Sequence, residues 1–177
     1  NCMTTVKQAI QQGELTVYKY NLMNDHFSEP LSIEEAMQTF TDSITRVDYD
    51  EMGNEITVRE PVPANMQDIY ELDVKEQWFI DRERSVLDVR IIGIAPVWHQ
   101  PPNDENPNSV RKPMFWIYYP AARDLFINSP VYNRENDAKR LTYEDLFAKR
   151  MFDSYIYKES NVYDRAISDY ALGMEAL

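Results

Sequence analysis

The sequence predicts an α+β protein, an antiparallel β-sheet built around one long hairpin with helices near the N- and C-terminal ends. Three observations carry this. Residues 70–98 alternate apolar and polar side chains along two long arms. The strands follow one another through short links instead of alternating with helices, which is the order of an antiparallel sheet. The helix-capping signals, Ser32 with Glu35 and Thr142, lie on either side of that strand-rich middle.

The hairpin is specified by register. On the first arm Tyr70, Leu72, Val74, Trp78 and Ile80 share one side, and Glu71, Asp73, Lys75, Gln77 and Asp81 share the other with Phe79. The second arm places Leu87, Val89, Ile91, Gly93, Ala95 and Val97 on one parity. With Arg82, Glu83, Arg84 and Ser85 as the loop, Ile80 pairs with Leu87, Trp78 with Val89 and Tyr70 with Val97. The two apolar sets then form a single face, expected to be buried. Arms this long suit a scaffold better than a compact catalytic pocket.

The remaining elements follow in order. Val6, Ala9 and Ile10 share a face of a short helix that Gly13 stops. Residues 15–20 form a short extended piece. Ser32 and Glu35 cap a helix with the stripe Ile33, Ala36, Met37, Phe40 and Ile44. Two strands, 44–49 and 56–60, are joined by a turn containing Gly53 and Asn54, and Pro61 and Pro63 end that unit. Pro101, Pro102, Pro107 and Pro113 make residues 100–113 a loop. Residues 114–119 read as an aromatic strand buried on both faces and closed by Pro120. Thr142 caps a helix with the stripe Tyr143, Leu146, Phe147 and Met151. Residues 155–157 are a strand candidate, and Asn161 starts a last helix lined by Ile167, Tyr170, Ala171, Met174 and Leu177.

The totals exclude several function classes. The chain has 18 basic against 30 acidic residues, a formal charge of −12. Binding to nucleic acid or to anionic membrane surfaces needs the opposite sign, so neither is expected. No apolar run reaches the roughly 18 residues that span a bilayer. Cys2 is the one cysteine, which excludes an internal disulfide and a thiolate metal cluster. With 177 residues the chain fits one domain, residues 1–177. It opens on Asn1 and stops at Leu177, and we read it as the trimmed core of a longer protein.

Motifs for chemistry are scarce. His26 and His99 have no His-x-x-x-His or Cys-x-x-Cys spacing around them, so no metal or cofactor is expected. Asp48, Asp50, Gly53 and Asn54 fail as a calcium loop, because Met52 stands where an oxygen ligand belongs and Arg59 at the closing Glu position. They are a hairpin turn instead. Neither phosphate-loop pattern nor a Gly-x-Ser-x-Gly elbow occurs. Glu76 falls by parity beside Trp78 on the apolar face, which makes it the best single candidate for an unusual carboxylate; it is expected instead to face a hairpin edge or to bond an arginine from another element. Phe115, Trp116, Tyr118 and Tyr119 would line a sugar or peptide groove if exposed, and core if buried.

Three blocks are more specific than any short motif: QWFIDRERSVLDVRIIGIAPV (77–97), KPMFWIYYP (112–120) and TYEDLFAKRMFDSYIYKESNVYDRAISDY (142–170). Together they resemble the GldN/PorN family of gliding-motility and type IX secretion proteins of Bacteroidetes. The resemblance covers most of the chain and is strongest from Tyr70 onward. It implies a non-catalytic periplasmic protein that forms ring assemblies with an outer-membrane lipoprotein, GldK or PorK. It further implies coupling to the GldL/GldM (PorL/PorM) motor complex. It supplies no catalytic residues. Possible interface residues are Arg82, Glu83 and Arg84 at the hairpin tip and Asn103, Asp104 and Glu105 in the Pro-rich loop. The alternative is a periplasmic carbohydrate- or peptide-binding module using the aromatic strand, and a third reading is a hydrolase with paired carboxylates. The first expects Trp116 and Tyr118 buried; the second expects an exposed aromatic cleft.

Overall fold

The predicted hairpin is the spine of the fold. In the computed structural model, which describes residues 2–21, 26–103, 106–131 and 141–157, β4 (Glu71–Asp81) and β5 (Val86–Gln100) are antiparallel. At the distal end Ile80 faces Leu87 and Trp78 faces Val89, as the sequence predicts. Nearer the base the register changes. Glu76 faces Ile91 but Lys75 faces Gly93, which leaves Ile92 as an extra residue in a β-bulge. Glu71, not Tyr70, therefore faces Val97. One inserted residue shifts β5 against β4, so Ile94 instead of Gly93 joins the apolar face.

Around this spine lies a sheet of order β1 (Val17–Lys19), β7 (Phe115–Tyr118), β5, β4, with β6 (Val110–Pro113) pairing with the end of β5. β5 is central at its base, where residues 93–98 are all buried, while β4 is an edge strand. The expected loop 100–113 is thus shorter, because β6 pairs Val110 with Gln100 and Pro113 with Val97.

The two faces carry different chemistry. On the core face Val17, Ile94, Trp98, Phe115 and Ile117 pack with α1 (Cys2–Gln11), α3 (Tyr119–Ile127) and α4 (Tyr143–Ala148). Helix α1 buries Met3, Val6, Ala9 and Ile10 and ends at Gly13, whose φ of +73° suits a residue without a Cβ. Tyr119, Phe126 and Phe147 form a ring cluster with centroids 5.5–5.9 Å apart. Each of these rings contributes about 1.5–3 kcal/mol through burial. Helix α3 was not foreseen. Pro120 reads as the stop of a strand, but it sits in the first turn of a helix, where its missing N–H costs nothing.

Helix α2 (Ile33–Gln38) has the expected capping box: Ser32 Oγ accepts from Glu35 N at 3.1 Å, and Glu35 Oε2 from Ser32 N at 2.8 Å. It stops before Ile44, which lies instead on β2 (Thr41–Tyr49). Residues 39–45 hold three threonines and an isoleucine, poor helix formers that favour strand, and Thr39 Oγ1 donates to the Ala36 carbonyl at 2.7 Å.

Strand β2 pairs with β3 (Glu55–Pro63) in a separate two-stranded ribbon. Pro61 and Pro63 lie within β3 and do not end it. Ala64 N donates to Phe40 O, so ladder parity turns positions 61 and 63 away from β2, toward an edge where no N–H is needed. At the turn Asp50 Oδ1 accepts from the N–H groups of Met52 and Asn54, and Gly53 has a φ of +80°.

Residues 155–157 form no strand. Met151, assigned to the α4 stripe, lies beyond that helix and is exposed. The last helix expected from Asn161 lies outside the described residues.

Candidate protein-interaction surfaces

The hairpin tip is built by Asp81. Its Oδ1 accepts from Glu83 N at 2.9 Å and Arg84 N at 3.1 Å, while Oδ2 accepts from Arg84 Nε at 2.8 Å. The bonds from Arg84 and Glu83 hold the Asp81 carboxyl below the usual carboxylate range. Ser85 closes the turn at a φ of +54°. Arg84 is therefore part of the turn, while Arg82 and Glu83 are exposed beside it.

Asn103 has a turn role. Its Oδ1 accepts from Asn106 N at 2.7 Å, and its own N–H donates to Asn106 O at 2.8 Å. Asp104 and Glu105 lie outside the described residues. The tip precedes β5 and the loop follows it, so fifteen strand residues separate them, roughly 45 Å. The predicted interface residues are two separate places on the molecule.

The largest exposed apolar surfaces lie elsewhere. The face shared by Trp78, Ile80, Leu87 and Val89 was expected to be buried, and its alternation does place it on the core side. The cover from the helices reaches only as far as Ile91, which packs against the core. Beyond it Trp78 is 52%, Ile80 69% and Leu87 62% exposed. Tyr70 and Leu72, at the base of the edge strand, are exposed as well. The second surface is the β2–β3 ribbon. No residue of either strand is buried, and Val47, Tyr49, Met52 and Ile56 are open to solvent. At its foot Asp42 receives Lys112 Nζ at 3.2 Å and the Gln100 side-chain amide. The ribbon was legible as a hairpin but not as a surface, because nothing in a period-2 pattern says whether another layer covers it.

The opposite face of the main sheet carries a charged clasp. Asp73, 2% exposed, accepts from Tyr20 Oη at 2.7 Å and from Arg111. Arg111 also donates to Glu71 at 2.7 Å, and Glu71 Oε2 meets His99 Nε2 at 2.7 Å under the ring of Tyr70. Burial opposes ionisation of Glu71, but the bonds from Arg111 and His99 prevail and hold its carboxyl low. The two acids converge, yet on one guanidinium. Through that shared guanidinium the pair ties β4 to β6.

Beside the clasp Trp116 is 4% exposed, stacked by Tyr20 at 5.3 Å and met edge-on by Phe27 at 6.2 Å. The aromatic strand is filled with its own side chains. Tyr118, expected to be buried in an assembly subunit, is 39% exposed where the strand runs out, with Phe27 on one side of it. Glu76 lies on the face that parity assigns it and pairs with Arg150, an arginine from another element as expected. Among the described residues, no group of three His, Cys, Asp or Glu side chains comes together to hold a metal ion.

These features define an α+β protein that presents ribbons and sheet edges. The family model described as gliding motility associated protein GldN matches residues 1–177. The chain belongs to the GldN family, whose members are components of gliding motility and type IX secretion and are not known enzymes. No curated protein matches the chain.

Proposed function

We propose that this chain is a non-catalytic periplasmic structural component of the type IX secretion and gliding machinery. It forms a ring with an outer-membrane lipoprotein of the GldK/PorK kind, and the ring couples to the GldL/GldM (PorL/PorM) motor complex. The β2–β3 ribbon carries this reading. A two-stranded ribbon is marginally stable in water, and this one buries none of its eighteen strand residues. Covering Val47, Tyr49 and Ile56 with a partner removes apolar area from water without any change in the body of the protein.

The test is purification of the full-length protein from its native envelope, with identification of what accompanies it. The lipoprotein and the motor subunits are expected to co-purify. A Tyr49→Asp, Ile56→Asp double variant should lose them while its circular dichroism and melting curve stay those of the parent. Recovery of the protein with neither partner, from an envelope in which the machine is active, would sink the proposal.

A further inference from the structure

We propose that the slot over Gly93 is a binding site for one Phe or Tyr side chain of a partner polypeptide, and that Phe27 occupies it as a displaceable plug. The slot lies apart from the β2–β3 ribbon and is independent of the role in secretion.

It is a product of register. On the face opposite the helices, Gly93 stands between Lys75 of β4 and Tyr118 of β7, its partners on either side. Gly93 has no positive φ that calls for glycine, so what it supplies is space. A glycine inside a strand often marks a place where a ligand or another chain segment approaches the backbone. The missing side chain leaves a gap in the row from Lys75 to Tyr118. Tyr18 and Trp116, paired with each other, extend its wall. Phe27 fills the gap, with its ring 5.2 Å from Tyr118, 5.8 Å from Tyr18 and 6.2 Å from Trp116.

The plug is not part of the sheet it covers. A strand glycine is ordinarily covered by an aromatic neighbour within the sheet, but this ring comes from a segment outside the ladder. Phe27 has a φ of +54°, a left-handed conformation that a bulky residue rarely adopts. That strain offsets part of what the ring gains from packing. His26 and Ser28 on either side of it are exposed. The chain is pinned at Glu29, whose carbonyl accepts from Lys19 N at 2.9 Å, so the ring is two residues from that anchor. It can leave the slot without breaking a rung of the sheet. An incoming ring keeps the packing and releases the strain.

The ligand class follows from the present occupant and from charge. Lys75 Nζ lies over the Phe27 ring at 5.7 Å from its centroid, a cation against the negative face of a π system. An aliphatic side chain of similar bulk gains nothing from that ammonium. The slot therefore selects Phe or Tyr over Leu.

The test uses the full chain, with N-acetylphenylalanine amide and N-acetylleucine amide as probes. 4-Fluorophenylalanine is incorporated, and the fluorine signal of Phe27 is assigned by its loss in Phe27→Leu. The phenylalanine amide at millimolar concentration should move that signal to the position of a solvent-exposed ring; the leucine amide should leave it in place. Phe27→Gly opens the slot and suits the positive φ, and should bind the phenylalanine amide about tenfold more tightly than the parent does. The leucine amide should bind that variant at least tenfold more weakly than the phenylalanine amide. Adding Gly93→Ala puts a methyl group into the opened slot and should remove the gain. If Phe27→Gly does not fold, the fluorine titration of the parent decides alone. A Phe27 signal that the phenylalanine amide leaves unmoved, no binding by a folded Phe27→Gly, equal binding of the two amides, or binding that survives Gly93→Ala would each overturn the proposal. So would a Phe27 signal that moves only with protein concentration, the mark of a second copy's ring in the slot.

Discussion

The aromatic face of the sheet is closed by one contact whose strength can be measured. Gly93 lies on β5 opposite Lys75, and a Cβ placed on it would meet Phe27 Cζ at 2.6 Å, Phe27 Cε1 at 3.0 Å and Trp116 Cε3 at 3.2 Å. Ordinary van der Waals contact begins at 3.4 Å, so Gly93→Ala forces the Phe27 ring off its seat by most of an ångström. Overpacking of that kind costs about 1–3 kcal/mol. Alanine in place of a strand glycine returns about 0.5–1 kcal/mol of chain entropy, which leaves a net loss of about 1–2 kcal/mol. Phe27→Ala removes a partly buried ring and should cost about 2 kcal/mol, roughly half the loss for a fully buried phenylalanine. The two changes act on the same space, so they should not add. With Phe27 already gone, Gly93→Ala should be close to neutral, a coupling of about 1–2 kcal/mol. Urea denaturation of the four proteins at constant m-value measures it. A coupling below about 0.3 kcal/mol would refute the placement of Phe27 over Gly93, and with it the account of why this face is closed.

Four further outcomes are expected. Arg111→Met leaves Asp73 buried with the hydroxyls of Tyr20 and Tyr157 but without its cation, and should destabilise the protein by about 3 kcal/mol in urea melts. Thr142→Ala removes the capping box of α4 and should cost about 1 kcal/mol, seen as a lower melting temperature. The bonds from Lys149 and Thr142 depress the carboxyl of Asp145 from 3.8 to about 2. Its contribution is therefore complete above pH 4 and lost as pH falls toward 2, and an NMR titration of the Asp145 carboxyl should show that low midpoint. At the tip, Arg82→Glu should weaken co-purification with the lipoprotein partner without altering the melt, since Arg84 and not Arg82 holds the turn; unchanged co-purification would remove the tip from the interface.

The local chemistry of the fold could be read from the sequence. The capping box at Ser32, the cap at Thr142, the Gly13 stop, the Asp50 turn and the distal register of the long hairpin all depend on residues a few positions apart. The base of the hairpin was illegible for a specific reason. Ile91 and Ile92 are identical, so the pattern cannot say which of them the bulge leaves unpaired, and every pairing below that point moves by one. Helix α3 was hidden behind a proline that serves equally as a strand end and a helix start. The clasp of Tyr20, Glu71, Asp73, His99 and Arg111 joins residues up to 91 positions apart in sequence, and no spacing rule connects them. Of the candidate surfaces, the tip was found as a turn and Asn103 as part of a loop, because turn and proline chemistry are local. The exposure of Trp78, Ile80 and the β2–β3 ribbon depends on which layers lie above them, and only the tertiary fold decides that.

The extra residue at Ile92 has a mechanical consequence. Below it β5 is bonded on both sides, to β4 and to β6 or β7; above it β5 is bonded to β4 alone. A pull along the hairpin loads the rungs of the lower half together, in shear, whereas a sideways push on the tip bends the ribbon where the ladder is interrupted. The bulge divides one strand pair into a fixed root and a lever arm, with the hinge beside the Glu76–Arg150 pair. Force applied at the tip is delivered to the central strand of the sheet, the part of the protein best able to resist it.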